Sequence, residues 1–174
     1  RLQHSLHKDV AAQKQSGIIL GVEHPAVITL GKNATESNIL EESQSITRKG
    51  IAIVKIERGG DVTAHEPGQL VVYPILPMRR FNNSVRAYVS FLESSLIQLL
   101  NTFHLDAHVN RKFPGVWVEN RKIAALGIRV SHRVSMHGIA MNIHNSLKTF
   151  SYIVPCGLSH AKVTSVEQEI GKKI

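Results

Sequence analysis

The feature that most constrains this chain is a succession of short apolar runs, each closed by glycine, proline or polar residues. GIILGVE (17–23), AVITLG (26–31), IAIVKIE (51–57) and QLVVYPIL (69–76) come first, followed by GVWVEN (115–120), KIAALGIRV (122–130) and GIAMNIH (138–144). Runs of this length, rich in β-branched residues, predict buried strands. Pro74 places the fourth run at a sheet edge or a strand end. Short polar turns join the last three, with a tight hairpin expected at Asn120–Arg121, so much of the pairing should be antiparallel. Helices are fewer. Residues 5–15 predict a first helix and 38–48 a short one. Over 83–103, Val85, Tyr88, Val89, Leu92, Leu96, Leu99, Leu100 and Phe103 recur at three- and four-residue steps, which predicts a helix with one core-facing stripe. Thr164 with Glu167 three residues later reads as a capping box opening a C-terminal helix. The class expected is α+β, or mixed α/β.

With 174 residues, 43% of them hydrophobic and 20% charged, the chain reads as a single domain spanning 1–174. No run of eighteen apolar residues is present, so no membrane span is expected. The start, RLQHSLHKDVAAQ, lacks an initiator methionine and a signal-peptide core, and reads as a trimmed or incomplete N-terminus. A formal charge of +8 favours an acidic partner. Nucleic acid is the default for such a charge, but the basic residues are scattered and aromatic residues make up only 5%, which argues against a stacking platform. Acidic protein partners satisfy the same electrostatics.

Cys156 is the only cysteine, set between Pro155 and Gly157. A lone cysteine forms no internal disulfide. By default it is a small buried hydrophobe, yet its neighbours mark a turn, where a side chain can be offered to a substrate. The lack of disulfides fits a reducing compartment.

The densest polar stretch is RGGDVTAHEPGQ (58–69). An ordinary hairpin needs fewer residues, and long loops in compact domains are often functional. It has neither a dinucleotide fingerprint nor a P-loop ending, so it reads as a binding loop without a phosphate cradle. Ten histidines include the pairs His4/His7 and His104/His108, but no carboxylate or cysteine completes a recognisable metal site. Lys122 opens the KIAALGIRV run, and taken alone it reads as a surface lysine at a hairpin end.

Taken together, RGGDVTAHEPGQLVVYPI (58–75), RKIAALGIRV (121–130) with HGIAMNI (137–143), and VPCGL (154–158) resemble the octanoyltransferases of lipoic acid synthesis, within the lipoate/biotin protein ligase superfamily. The resemblance covers roughly residues 17–170. It implies the lipoate/biotin ligase-type catalytic fold, a mixed sheet flanked by helices, and transfer of an octanoyl group from octanoyl-acyl carrier protein to a lysine of a lipoyl domain, through an acyl-thioester. By motif position Cys156 becomes the nucleophile and Lys122 its partner. The substrate-binding residues become Arg58, Gly59, Gly60, Asp61, Val62, Thr63, Ala64 and His65, then Ala125, Leu126 and Gly127, then Gly138, Ile139 and Ala140. The loop departs from the family pattern at Ala64, where an aromatic residue is common, and at Glu66, where glycine is common. Those departures imply an altered acyl-pocket shape or chain-length preference.

The residue types suit the chemistry. Thiolate is the attacking species, and an ordinary thiol with pKa ~8.5 is mostly protonated at neutral pH. A nearby ammonium favours thiolate, and once sulfur is acylated the same lysine can serve as base toward the incoming amine. The thioester is already activated, so no cofactor, ATP or metal is implied. The implied partners are octanoyl-acyl carrier protein, the apo lipoyl domains of 2-oxoacid dehydrogenase complexes and the glycine cleavage H protein, with no nucleic acid and no membrane. Carrier and lipoyl domains are typically acidic, which matches the basic chain. A cytoplasmic location is implied, or a mitochondrial one for a eukaryotic source. An ATP-dependent lipoate ligase and a non-catalytic nucleic-acid-binding module are the competing readings.

Overall fold

The computed structural model describes residues 1–111, 113–155 and 162–174. Its elements are α1 (Leu2–Ala11), β1 (Ile18–Val22), β2 (Val27–Leu30), α2 (Ser43–Arg48), β3 (Ala52–Lys55), β4 (Val62–His65), β5 (Gln69–Ile75) and α3 (Val85–Asn101). After α3 come β6 (Ala107–Val109), β7 (Val116–Val118), β8 (Arg121–Ser131), β9 (Val134–Asn142), β10 (Lys162–Val163) and α4 (Val166–Ile170). Among the described residues the strands form two sheets. The larger runs β1-β5-β9-β8-β7-β6, with β10 added beside β8, and the smaller runs β3-β2-β4. Neighbours in the larger sheet are antiparallel except β10, which lies parallel to the start of β8. In the smaller sheet β2 runs parallel to β3 and antiparallel to β4.

The expected mixed α/β class is the one observed, with local corrections. Helix α1 begins and ends earlier than residues 5–15, because Gln13 takes a left-handed φ of 60° that stops it. The 38–48 segment splits into a 3-10 turn at Glu36–Asn38 and α2, with Ile39 extended between them. Strand β5 is interior rather than an edge, and Pro74 stands at its end, the other of the two expected placements. The strand pairs with β9 only over Gln69–Val72, so Pro74 falls beyond that ladder, where no donor toward β9 is required. The β7–β8 turn is Glu119–Asn120, and Arg121 already pairs with Val118. Strand β9 starts at Val134 rather than 138, through a two-residue turn at His132 and Arg133, both with positive φ. The N-cap of the C-terminal helix α4 is Ser165, whose side chain accepts from Gln168 N, rather than a box between Thr164 and Glu167.

Helix α3 fixes one face of the large sheet. Ser84 caps it by accepting from Ala87 N at 3.2 Å, and Tyr88, Leu92, Leu96 and Leu100 form its buried row at steps of four. Val85 and Leu99, at the margins of the predicted stripe, stay half exposed. Burying each large apolar side chain contributes about 1.5–3 kcal/mol. Leu126, Ile128 and Val130 of β8 pack toward Met78, Tyr88 and Leu92. Alternation then leaves Ala125 and Gly127 on the opposite face. Their register partners Ala140 and Gly138 share that face, so four small residues floor the space under the small sheet. The small sheet has its own core, in which Ile28, Val62 and Ala64 pack with Ile46, Phe150 and Ile153.

Candidate active site

The pocket lies between that floor and β4. Residues 58–69 are not one long loop: Val62–His65 form a fully buried strand whose residues alternate in direction. Thr63 and His65 line the pocket, together with Arg58, Gly60 and Asp61. Val62 and Ala64 turn into the small-sheet core. Gly59 sits behind the lining and donates its N–H to Ile128 O at 2.9 Å. Ala125, Leu126, Gly127, Gly138, Ile139 and Ala140 all reach the pocket. Neither residue that departs from the family pattern lines it, because Ala64 joins the core and the Glu66 carboxylate is taken up by residues 145–149.

Arg58 braces the two sheets. Its Nε donates to Thr29 Oγ1 at 3.2 Å, its Nη2 to Thr29 O at 2.6 Å and to Oγ1 at 3.0 Å, and its Nη1 to Gly59 O at 3.1 Å. A Cβ at Gly127 would lie 2.8 Å from Arg58 Cδ, so a glycine there makes room for the arginine stem. Asp61 is also structural at its carboxylate, which accepts from Thr35 N and Asn38 Nδ2.

Strand reasoning missed Val71 and Tyr73, which follow Gln69 at steps of two on the β5 face turned to the pocket, and also Ile56 and His137. Counting β5 in twos from Gln69 is the signal that finds the first pair. The Tyr73 hydroxyl lies 2.7 Å from His24 Nε2, and the His24 and His65 rings are 5.5 Å apart. Burial pushes the Tyr73 hydroxyl above its ordinary range and holds His24 below its own. Burial, outweighing its bond to Gln69, lowers His65 to about 4. Burial and then the Arg58 charge lower His137 to about 4. His65 and His137 are therefore neutral at neutral pH. Gln69 Nε2 donates to Asn142 Oδ1 at 2.8 Å and to Ala64 O at 3.3 Å, which turns its oxygen toward His65 Nδ1 at 2.8 Å. That arrangement assigns the proton to Nδ1 and leaves Nε2 as an acceptor.

Lys122 closes one end of the pocket region. It is buried rather than a surface lysine, only 4% exposed, because β7 and β10 flank it where β8 begins. Its Nζ stands 5.7 Å from the Trp117 ring centroid. Lys122 also lines a smaller cavity with Gln69, Asn142, Phe150, Pro155 and Val163, and that cavity shares Thr63, Ala125 and Ala140 with the pocket. Cys156 lies outside the described residues, as does Gly157. Its neighbour Pro155 and, beyond it in the chain, Val163 both line the cavity with Lys122. The return past Val163 is fixed locally. Thr164 N donates to Lys122 O at 3.0 Å, Asn142 Nδ2 donates to Thr164 O at 2.9 Å, and Arg121 grips Glu169 through Nε and Nη2 at 2.7 and 2.9 Å.

The model of the lipoyl protein ligase A/B catalytic domain matches residues 1–174. The octanoyltransferase of Desulfovibrio desulfuricans is 43% identical over 168 residues, covering 95% of this chain and 71% of that protein. The one from Bacteroides fragilis is 40% identical over 174 residues, covering 97% and 79%. A third, from Alkaliphilus metalliredigens, is 44% identical over 167 residues, covering 95% and 76%. Among solved structures, lipoate-protein ligase A bound with ATP superposes with a TM-score of 0.76 at 15% identity, over 100% of this chain and 75% of that one. The bipartite lipoate protein ligase of Thermoplasma acidophilum gives 0.67 at 16%, over 96% and 71%. These last two are similar in fold, and the expected ligase-type architecture is the one found. With a family match along its whole length and curated relatives at 40–44% identity, the chain belongs to the lipoyl protein ligase A/B catalytic domain family, in its octanoyltransferase branch.

Proposed function

We propose that the protein transfers an octanoyl group from octanoyl-acyl carrier protein to a lysine amine of a lipoyl domain, through a thioester on Cys156. The observation that carries the mechanism is the buried ammonium of Lys122, which shares a cavity with Pro155, the residue before Cys156. The octanoyl chain lies over the floor of Ala125, Gly127, Gly138 and Ala140. Each buried methylene contributes about 0.8 kcal/mol, so the slot grades chain length gradually.

In the first half-reaction the Cys156 thiolate attacks the carrier thioester. The new carbon–sulfur bond forms, the carrier sulfur leaves, and Lys122 gives it a proton. In the second, the acceptor amine attacks the Cys156 thioester and passes a proton to Lys122. The thiolate departs, and the thiolate–ammonium pair is restored with atoms and charges balanced. Neutral His65, held by Gln69, adds no charge of its own to the pocket wall, which suits an apolar chain. ATP has no step, because the thioester supplies the activation.

The acceptor reading rests on the family and on a similar archaeal ligase described with its E2 lipoyl domain. Both proposed macromolecular partners are acidic in type, and the +8 charge of this chain favours their encounter. Among the described residues no helix is long and apolar enough to cross a membrane. A free thiol nucleophile is kept reduced in cytoplasm or a mitochondrial matrix, and there we propose that the reaction runs.

Incubation with octanoyl-acyl carrier protein, without ATP, should add one octanoyl group to the wild type and none to Cys156→Ala. Normal acylation and transfer by Cys156→Ala would overturn the mechanism. Loading of free octanoate only when ATP is present would select the ligase reading.

A further inference from the structure

Glu66 is a buried carboxylate, only 4% exposed, between β4 and β5. Its Oε1 accepts from Asn145 Nδ2 at 3.0 Å and from Ser146 Oγ at 3.4 Å. Its Oε2 accepts from Thr149 N at 3.0 Å and from Thr149 Oγ1 at 2.6 Å. Removing a carboxylate from water is costly unless its lone pairs are served, and here both oxygens are. All four donors come from a five-residue stretch about eighty positions away in the chain. The carboxylate is thus devoted to holding that stretch.

The contact matters because of where the held stretch leads. Thr149 runs directly into Phe150, which packs in the small-sheet core and lines the cavity with Lys122. The chain then continues to Pro155, on the same cavity wall. A second line leaves Asn145, whose Nδ2 also donates to Asn142 Oδ1 at 3.2 Å. Asn142 holds Thr164 O, and Thr164 N holds Lys122 O. Glu66 is therefore joined through hydrogen bonds to the wall facing Lys122 and to the Lys122 backbone, while lining neither pocket nor cavity.

We infer that Glu66 is a positioning residue for acyl transfer, setting Phe150 and Pro155 against Lys122 without contributing to the octanoyl slot. The inference rests on the proposed function, which puts the chemistry at the Lys122 end. A small displacement of reacting groups costs up to about a hundredfold in rate while leaving remote binding intact. A merely structural carboxylate would instead lower only the folded fraction, leaving both KM and the kcat per folded active site at their wild-type values.

The test uses octanoyl-acyl carrier protein and an apo lipoyl domain. Glu66→Gln keeps the shape but sets an NH2 against donors. Its kcat should fall about ten- to a hundredfold, with KM for the carrier within about threefold of wild type. Thr149→Val removes only the 2.6 Å hydroxyl bond and should lower kcat about tenfold. Thr149→Ser, which retains that bond, should stay within about threefold of wild type. Combining Glu66→Gln with Thr149→Val should be no worse than Glu66→Gln alone, because both act through one contact. If Glu66→Gln does not fold, the Thr149 pair decides. A kcat within about twofold of wild type in folded Glu66→Gln or Thr149→Val overturns the inference, as does a rise in KM that matches the loss in kcat. Cys156 acylation in the wild type is scored first. Its absence sinks the parent mechanism, whereas acylation at wild-type rate in Glu66→Gln sinks only the role of Glu66.

Discussion

A methyl group on Gly115 would lie 2.5 Å from Cε of Lys122 and 3.2 Å from its nitrogen, so the lysine side chain runs directly over the glycine. The backbone at Gly115 also has φ of +135°, which side chains resist. Gly115→Ala should therefore cost about 1–3 kcal/mol in urea denaturation and displace the ammonium. Transfer should fall at least about tenfold. A variant with wild-type stability and rate would contradict this packing.

Lys122→Met keeps the buried stem and deletes the ammonium. Quenched-flow mass measurement of Cys156 acylation at neutral pH should show a loss of about a hundredfold or more, with little change in KM for the octanoyl carrier. Lys122→Arg should not restore the rate. The wide planar guanidinium does not fit between Gly115 and Trp117. Full activity in the arginine variant would remove the lysine-specific role.

Thr29 accepts from Arg58 through both its hydroxyl and its carbonyl. Thr29→Val leaves the carbonyl and strips the hydroxyl from a buried guanidinium. The expected cost is about 2 kcal/mol in equilibrium unfolding. KM for the octanoyl carrier should rise severalfold, since the Arg58 stem packs against Gly127 in the pocket wall. Unchanged unfolding would show that the brace is not rigid.

Two buried histidines of the pocket, His65 and His137, set an acid limit. His65 and His137 bind a proton in the fold only near pH 4, whereas an unfolded histidine does so near ~6.5. Between those values the unfolded chain holds more protons, so stability is complete above ~6.5 and is lost as pH falls toward 4. For His65 alone the full difference is on the order of 3 kcal/mol. Urea midpoints measured from pH 7.5 down to 4.5 should drop, and less steeply in His65→Gln. A flat profile over that range would refute the assignment.

Much of this architecture is legible before any coordinates, and the places where legibility stops have physical causes. The runs that became β1, β2, β5, β7 and β8 are read correctly because their apolar faces are continuous. The first half of β9, SMH after Val134, is invisible: its polar side chains are buried by pairing with β8, a tertiary effect without local signal. The strand inside RGGDVTAHEPGQ is hidden in the same way, since glycines on either side read as loop. Lys122 shows the limit most clearly. Its burial depends on β10, which arrives from forty residues downstream. Family resemblance located it, while local pattern placed it at the surface.

The two-way facing of β4 has a consequence for how this enzyme tolerates change. In a saturation library over 62–65, phenotypes should oscillate with a period of two. Substitutions at Val62 and Ala64 would register as altered cellular abundance, since they disturb only the small-sheet core. Those at Thr63 and His65 would in addition register as altered acyl preference, since both also line the pocket. Along four consecutive residues, selectivity is thus written on every second position, while persistence constrains them all.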